Sequence, residues 1–171
     1  MKIKFVAVFF VFAIFSLSCS NKNVVQSKIT ITDTTPRVTG IGGIFFISEN
    51  PEKINEWYAE NLGLVIGDYG SSFEFRNADN PNEVNYLQWS TFEKNTDYFA
   101  PSAKEFMINY RVQNIEGLVK KLKQNGVTIL DEISVYDYGK FVHIMDIDGN
   151  KIELWQPIDS VLTEYGNETT K

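Results

Sequence analysis

Apolar and polar positions change period several times along this chain, and each change marks an element. Residues 41–48 alternate, with Ile41, Gly43, Phe45 and Ile47 in one register, which predicts a strand. Glu49-Asn50-Pro51 breaks that period and opens a helix running to about residue 61, with Ile54, Trp57, Tyr58 and Leu62 on one side and Gly63 as its stop. Residues 64–68, 71–76 and 84–90 read as three short strands, separated by Tyr69-Gly70 and by the polar loop 77–82. The same order then recurs. Residues 106–112 form a strand and 115–125 a helix, apolar at Leu118, Val119 and Leu122 and wet at Lys120, Lys121 and Lys123. Gly126 stops that helix 63 residues after Gly63, and a strand at 127–131 leads into a hairpin.

The hairpin, residues 138–157, carries the most information. Runs 141–145 and 151–155 are β-prone, and Asp148-Gly149-Asn150 between them is turn chemistry. Asp146-Ile147-Asp148-Gly149-Asn150 begins like a calcium loop, but Lys151 stands where glycine is needed and Pro157 where the closing glutamate is needed, so it is a turn. With 146–150 as the loop, Met145 opposes Lys151, Ile144 opposes Ile152, and His143 opposes Glu153. Opposed residues share a face, so the single histidine of the chain stands beside a carboxylate.

Composition and charge narrow the setting. Lys2 and Lys4 precede an apolar run of 13 residues (5–17) and then Ser18-Cys19-Ser20, the pattern of a secretory signal and too short for a spanning helix. Cys19 stands where bacterial lipoprotein signals place the lipidated residue. The resemblance departs at Ser16, where a large aliphatic residue is usual; the other reading is an ordinary cleaved signal. Residues 1–18 are thus a signal, 19–37 a polar tether, 38–158 the folded domain and 159–171 a C-terminal tail. This places the protein in the bacterial cell envelope, held at a membrane through Cys19. The lone cysteine excludes an internal disulfide. Loss of residues 1–18 leaves 14 basic and 22 acidic residues, a net charge of minus 8, and no basic stripe, which excludes nucleic acid as a partner.

Two tandem βαβββ units, Trp57-Tyr58 followed by Asn61-Leu62-Gly63-Leu64, Tyr110-Arg111-Val112, and the run 146–154 together resemble the vicinal oxygen chelate superfamily, which includes glyoxalase I, extradiol dioxygenases and bleomycin resistance proteins. The resemblance implies an α+β domain in which the two units form an open cup with helices outside, and units that pair across chains in a homodimer.

Strand parity then sorts side chains. Phe45 and Ile47, Leu87 and Trp89, Val142 and Ile144, and Ile152 and Leu154 should pack under helices. The opposite face should line the cup, and from it Phe46, Tyr86, Gln88, Asn109, Arg111, Phe141 and Trp155 are the candidate ligand-binding residues. His143 and Glu153 are the candidate acid–base pair. By resemblance, a metal would sit at Gly42, Gln88, Met107 and Glu153, of which Glu153 is a good ligand and Gln88 a weaker one; His143 would complete a set of three. Three readings follow. The first is binding of a small organic molecule in the cup without an assigned cofactor. The second is a divalent-metal glyoxalase-like or dioxygenase-like enzyme using Glu153, Gln88 and His143. The third is a non-catalytic assembly protein.

Overall fold

The computed structural model of the chain describes residues 33–171 apart from Asp79, Asn167 and Lys171. The expected signal, the lipidated Cys19 and most of the tether lie outside the described residues. The first half comprises β1 (Arg37–Ser48), α1 (Pro51–Leu62), β2 (Ser71–Arg76) and β3 (Val84–Glu93). The second comprises β4 (Phe106–Gln113), α2 (Ile115–Gln124), β5 (Thr128–Ile129), β6 (Ser134–Tyr136), β7 (Gly139–Met145) and β8 (Lys151–Pro157), and α3 (Asp159–Tyr165) follows. All eight strands belong to one open sheet in the order β2-β3-β1-β4-β8-β7-β5, with β6 beside β7. Each half pairs its first and last strand in parallel, β1 with β3 and β4 with β8, and antiparallel β1 and β4 join the halves. This is the expected α+β architecture.

Local chemistry explains the elements. Asn50 caps α1 by accepting from the Lys53 amide, with Pro51 at the first helical position. Asn114 caps α2 in the same way through the Gly117 amide. Ile115, Leu118 and Val119 of α2 are buried against Val112, Val142, Ile144 and Leu154, with Leu122 packed beside them, so this helix uses the predicted side. α1 uses only part of its predicted side: Ile54 and Tyr58 are half-buried, Tyr58 against Trp89 at 4.7 Å, whereas Trp57 and Leu62 stand 50% and 59% exposed, and Asn55, bonded to Thr91, joins the contact side in their place.

The hairpin register is the predicted one, with Met145 opposite Lys151, Ile144 opposite Ile152 and His143 opposite Glu153. Two other expectations need correction. Residues 64–68 form no named strand: Gly67 and Gly70 bond each other across a turn, and Gly70, at φ +101°, lies so close to β3 that a Cβ would meet the Trp89 carbonyl at 2.2 Å. The edge of β2 is met instead by the end of the chain. Thr170 pairs with Phe73 in a parallel bridge, and its amide bonds the Ser72 carbonyl. Its hydroxyl accepts from the Val65 amide and bonds Ser71 Oγ.

The second correction concerns β1. Its pairing with β4 slips between Ile41 and Gly43, leaving Gly42 as the extra residue of a β-bulge. Ahead of the bulge Ile41 opposes Tyr110; beyond it Gly43 opposes Asn109 and Phe45 opposes Met107. Parity therefore changes by one. Phe45 faces the cup, whereas Phe46, expected there, packs against Trp89 at 5.3 Å on the helix side and does not line the cavity.

Ile115 is 0% exposed at the centre of the α2 packing. Replacing it with alanine should cost about 2–5 kcal/mol in urea unfolding, while alanine at the fully exposed turn residue Ile147 should stay within about 0.5 kcal/mol.

Candidate functional site

Strand pairing sets the site. Gln88, Gly43, Asn109, Glu153 and His143 follow one another across β3, β1, β4, β8 and β7, each paired with the next. This row replaces the Gly42–Met107 assignment made from the sequence. Met107 lies two pairs away, opposite Phe45, and is fully buried with Phe45 and Phe99. Two covers close over the row. The segment joining β3 to β4 brings in Tyr98 and Phe99, and the C-terminal segment brings in Leu162, Tyr165 and Thr169. Between covers and sheet lies a cavity of about 530 Å³.

Glu153 is its charged residue. The carboxylate is buried, and its two oxygens are held separately: Tyr98 donates its hydroxyl to Oε1 at 2.5 Å, and Asn109 donates Nδ2 to Oε2 at 2.8 Å. Burial, reinforced by Glu153, pushes the Tyr98 phenol far above its ordinary value, so it remains a donor. Behind the carboxylate, His143 sets Nε2 at 3.4 Å from Glu153 Oε1 and Nδ1 at 2.5 Å from Asp131 Oδ2. Burial opposes a charge on this ring, but hydrogen bonding to Glu153 and Asp131 outweighs it, and the His143 pKa is raised. Burial lowers the Lys151 pKa against the pull of Asp131, Glu153 and Asp97; its ammonium bonds the Tyr98 carbonyl and sits 5.2 Å from that ring.

The predicted residues divide into three groups. Tyr86, Gln88, Asn109, Phe141, Glu153 and Trp155 line the cavity together. His143 and Arg111 are beside it: His143 supports Glu153 from behind, and Arg111 is paired with Asp159 of α3, donates to the Tyr86 carbonyl, and lies 5.2 Å from the Trp155 ring. Phe46 is on the other face. Sequence reasoning missed Asp131, whose partnership with His143 depends on the turn after β5. It also missed the C-terminal contributors, which a short polar tail does not announce. Phe141 and Trp155 stack at 5.7 Å, as opposed hairpin neighbours on one face should. A second depression, of about 550 Å³ beside the start of α1, is lined by Glu49, Glu52, Glu93 and Lys94 and has no aromatic wall. It reads as solvated surface.

The donors do not fit a divalent cation. Gly43 offers no side chain, and Asn109 turns its amide nitrogen to Glu153. Gln88 accepts from Ser72 Oγ and donates to the Tyr69 carbonyl and Ser90. Among the described residues no group of three or more His, Cys, Asp or Glu is placed to share an ion. What the row supplies is a held carboxylate with a histidine behind it.

No family model and no curated protein matches the chain. Solved structures do. A methylmalonyl-CoA epimerase from Mycobacterium tuberculosis is similar at 18% identity and TM-score 0.50, over 74% of this chain and 93% of that one. A Streptomyces coelicolor methylmalonyl-CoA epimerase in complex with 2-nitronate-propionyl-CoA is similar at 13% identity and TM-score 0.54, over 71% and 99%. A glyoxalase/bleomycin resistance protein/dioxygenase superfamily member from Vibrio splendidus 12B01 matches at 13% and TM-score 0.44, over 71% and 99%. At such identities the likeness is one of fold.

His143 gives a direct test of the carboxylate sandwich, because a lone histidine has unambiguous ring signals in NMR titration. Its pKa should exceed the ordinary value near 6.5, and Asp131→Asn should bring it down. A raised folded-state pKa stabilises the fold fully below about pH 6.5 and loses that contribution as pH climbs through the raised value. Unfolding stability should therefore fall on going above neutrality, and Asp131→Asn should flatten that fall.

Proposed function

The chain has the fold of the vicinal oxygen chelate superfamily, and on that premise we propose that it binds a small organic molecule in the cup. The observation that carries this is the cavity of about 530 Å³, within the range of small-molecule sites, walled by aromatic rings around a few converging polar groups. A solvated sheet face would not be roofed from both ends; this one is covered by Tyr98 on one side and Tyr165 on the other. Fragments built on phenyl and indole rings should perturb the Trp155 indole resonance in NMR, and Tyr138→Ala or Tyr165→Ala should weaken the best of them about tenfold, as loss of one aromatic wall predicts. Perturbation confined to the exposed Trp57 face would count against the cup.

The setting we propose is the bacterial cell envelope, with the domain tethered to a membrane through lipidated Cys19. The support is the charged start, the short apolar run and the position of Cys19. In membrane fractionation, Cys19→Ser should move the protein to the soluble fraction; retention in the membrane would overturn the anchor.

A further inference from the structure

We infer that the ligand of this cup is an organic cation, an amine or quaternary ammonium on an apolar body. The inference rests on the cup being a binding site and names the class that would fill it. Among the described lining residues, Glu153 carries the one formal charge, and every neighbouring cation is already committed elsewhere. Arg111 is neutralised by Asp159. Lys151 is drawn to the Tyr98 carbonyl, and His143 lies between two carboxylates, so that Asp131, His143 and Glu153 remain net negative even with the ring protonated. The charged group that the lining itself presents to a ligand is therefore the Glu153 carboxylate.

The walls agree with the floor. Rings of Tyr69, Tyr86, Phe92, Tyr138, Phe141 and Trp155 line the space, and aromatic quadrupoles attract a cation that meets a ring face. Two rings of the lining already carry one: Arg111 at Trp155, 5.2 Å away, and Lys151 at Tyr98, also 5.2 Å away. Glu153 keeps hydrogen-bonding capacity, since each oxygen accepts one strong bond from the protein and has a second lone pair. An anion would face repulsion from a desolvated carboxylate, and a neutral body would cover that carboxylate without compensating it.

The test compares four probes of similar shape on the folded protein by calorimetry: benzyltrimethylammonium, phenethylamine, 3-phenylpropanol and 3-phenylpropanoate. The two cations should bind at least about tenfold more tightly than the alcohol, and the anion most weakly. Glu153→Gln, which keeps the size and removes the charge, should bring cations and alcohol to within about threefold of each other. Alcohol or anion binding as tightly as the cations overturns the cation assignment and leaves the cup as a binding site. Saturable binding by none of the four overturns both. Should the variant not fold, the ranking of the four probes on the unaltered protein decides by itself.

Discussion

A carboxylate taken out of water must be satisfied by the protein or it loses its charge, and this requirement at Glu153, 3% exposed, organises the cup. Three separate elements meet it. β4 supplies Asn109, the segment between β3 and β4 supplies Tyr98, and β7 supplies His143. Two of these have a further tie that fixes their direction. Asp131 holds His143 by its ring and its backbone amide, and Tyr98 is held from behind by Lys151 and by stacking on Phe92 at 5.2 Å. The cover over that end of the cavity is therefore positioned by the same charge that a ligand would meet. Gly42 completes the arrangement: a Cβ there would come within 2.2 Å of Asn109 Oδ1 and 2.9 Å of Trp155, so the close approach of β1 to the floor requires a residue without one.

A second buried charge is handled differently. Arg111 is compensated by Asp159, which Asn85 also contacts at 3.2 Å, and burial raises the Asp159 pKa while Arg111 pulls it down. The partner of this arginine comes from α3, beyond the last strand. The segment after Pro157, set apart in the sequence as a tail, is thus tied at Asp159 to β4 and at Thr170 to β2, and crosses the cup between them. Its return to β2 also accounts for the missing strand at residues 64–68. An edge whose amides and carbonyls are met by Thr170 needs less from the preceding loop.

What the sequence made legible follows from the kind of signal involved. The hairpin was readable to the residue because turn chemistry and a period of two fix the register together, and a slip of one would have turned Val142, Ile144, Ile152 and Leu154 away from α2. That register placed His143 beside Glu153, and it put Phe141 and Trp155 on the same face. β1 defeated the same method, because a bulge at Gly42 leaves no mark in a run of glycines and apolar residues that reads well in either parity. One extra residue exchanged Phe45 for Phe46. The side of α1 was read correctly at Tyr58 and misjudged at Trp57, a large apolar residue at helical spacing whose place against the sheet is taken by Asn55. Asp131 and the C-terminal contacts are made by loops, whose pairing partners no local period encodes.

The two covers of the cup differ in what holds them, and this bears on how a ligand reaches Glu153. The segment between β3 and β4 is anchored by apolar burial, with Phe99 at 2% exposure against Met107 and Phe45, and by Tyr98. The C-terminal segment has no buried residue in α3 and is held largely by polar ties: Thr163 to Tyr86, Tyr165 to Asp137, Thr170 to Ser71, and Asp159 to Arg111. The exposed ties, Thr163 to Tyr86 and Tyr165 to Asp137, are exchanged for water at little net cost, whereas breaking the buried Arg111–Asp159 pair would strand a charge and withdrawing Phe99 would expose an aromatic ring and leave a void. Local opening follows the weaker set of contacts. Fraying of α3 beyond Asp159 would free Tyr86 from Thr163 while leaving Tyr98 and Asn109 on Glu153, so the carboxylate keeps its hydrogen bonds during exchange.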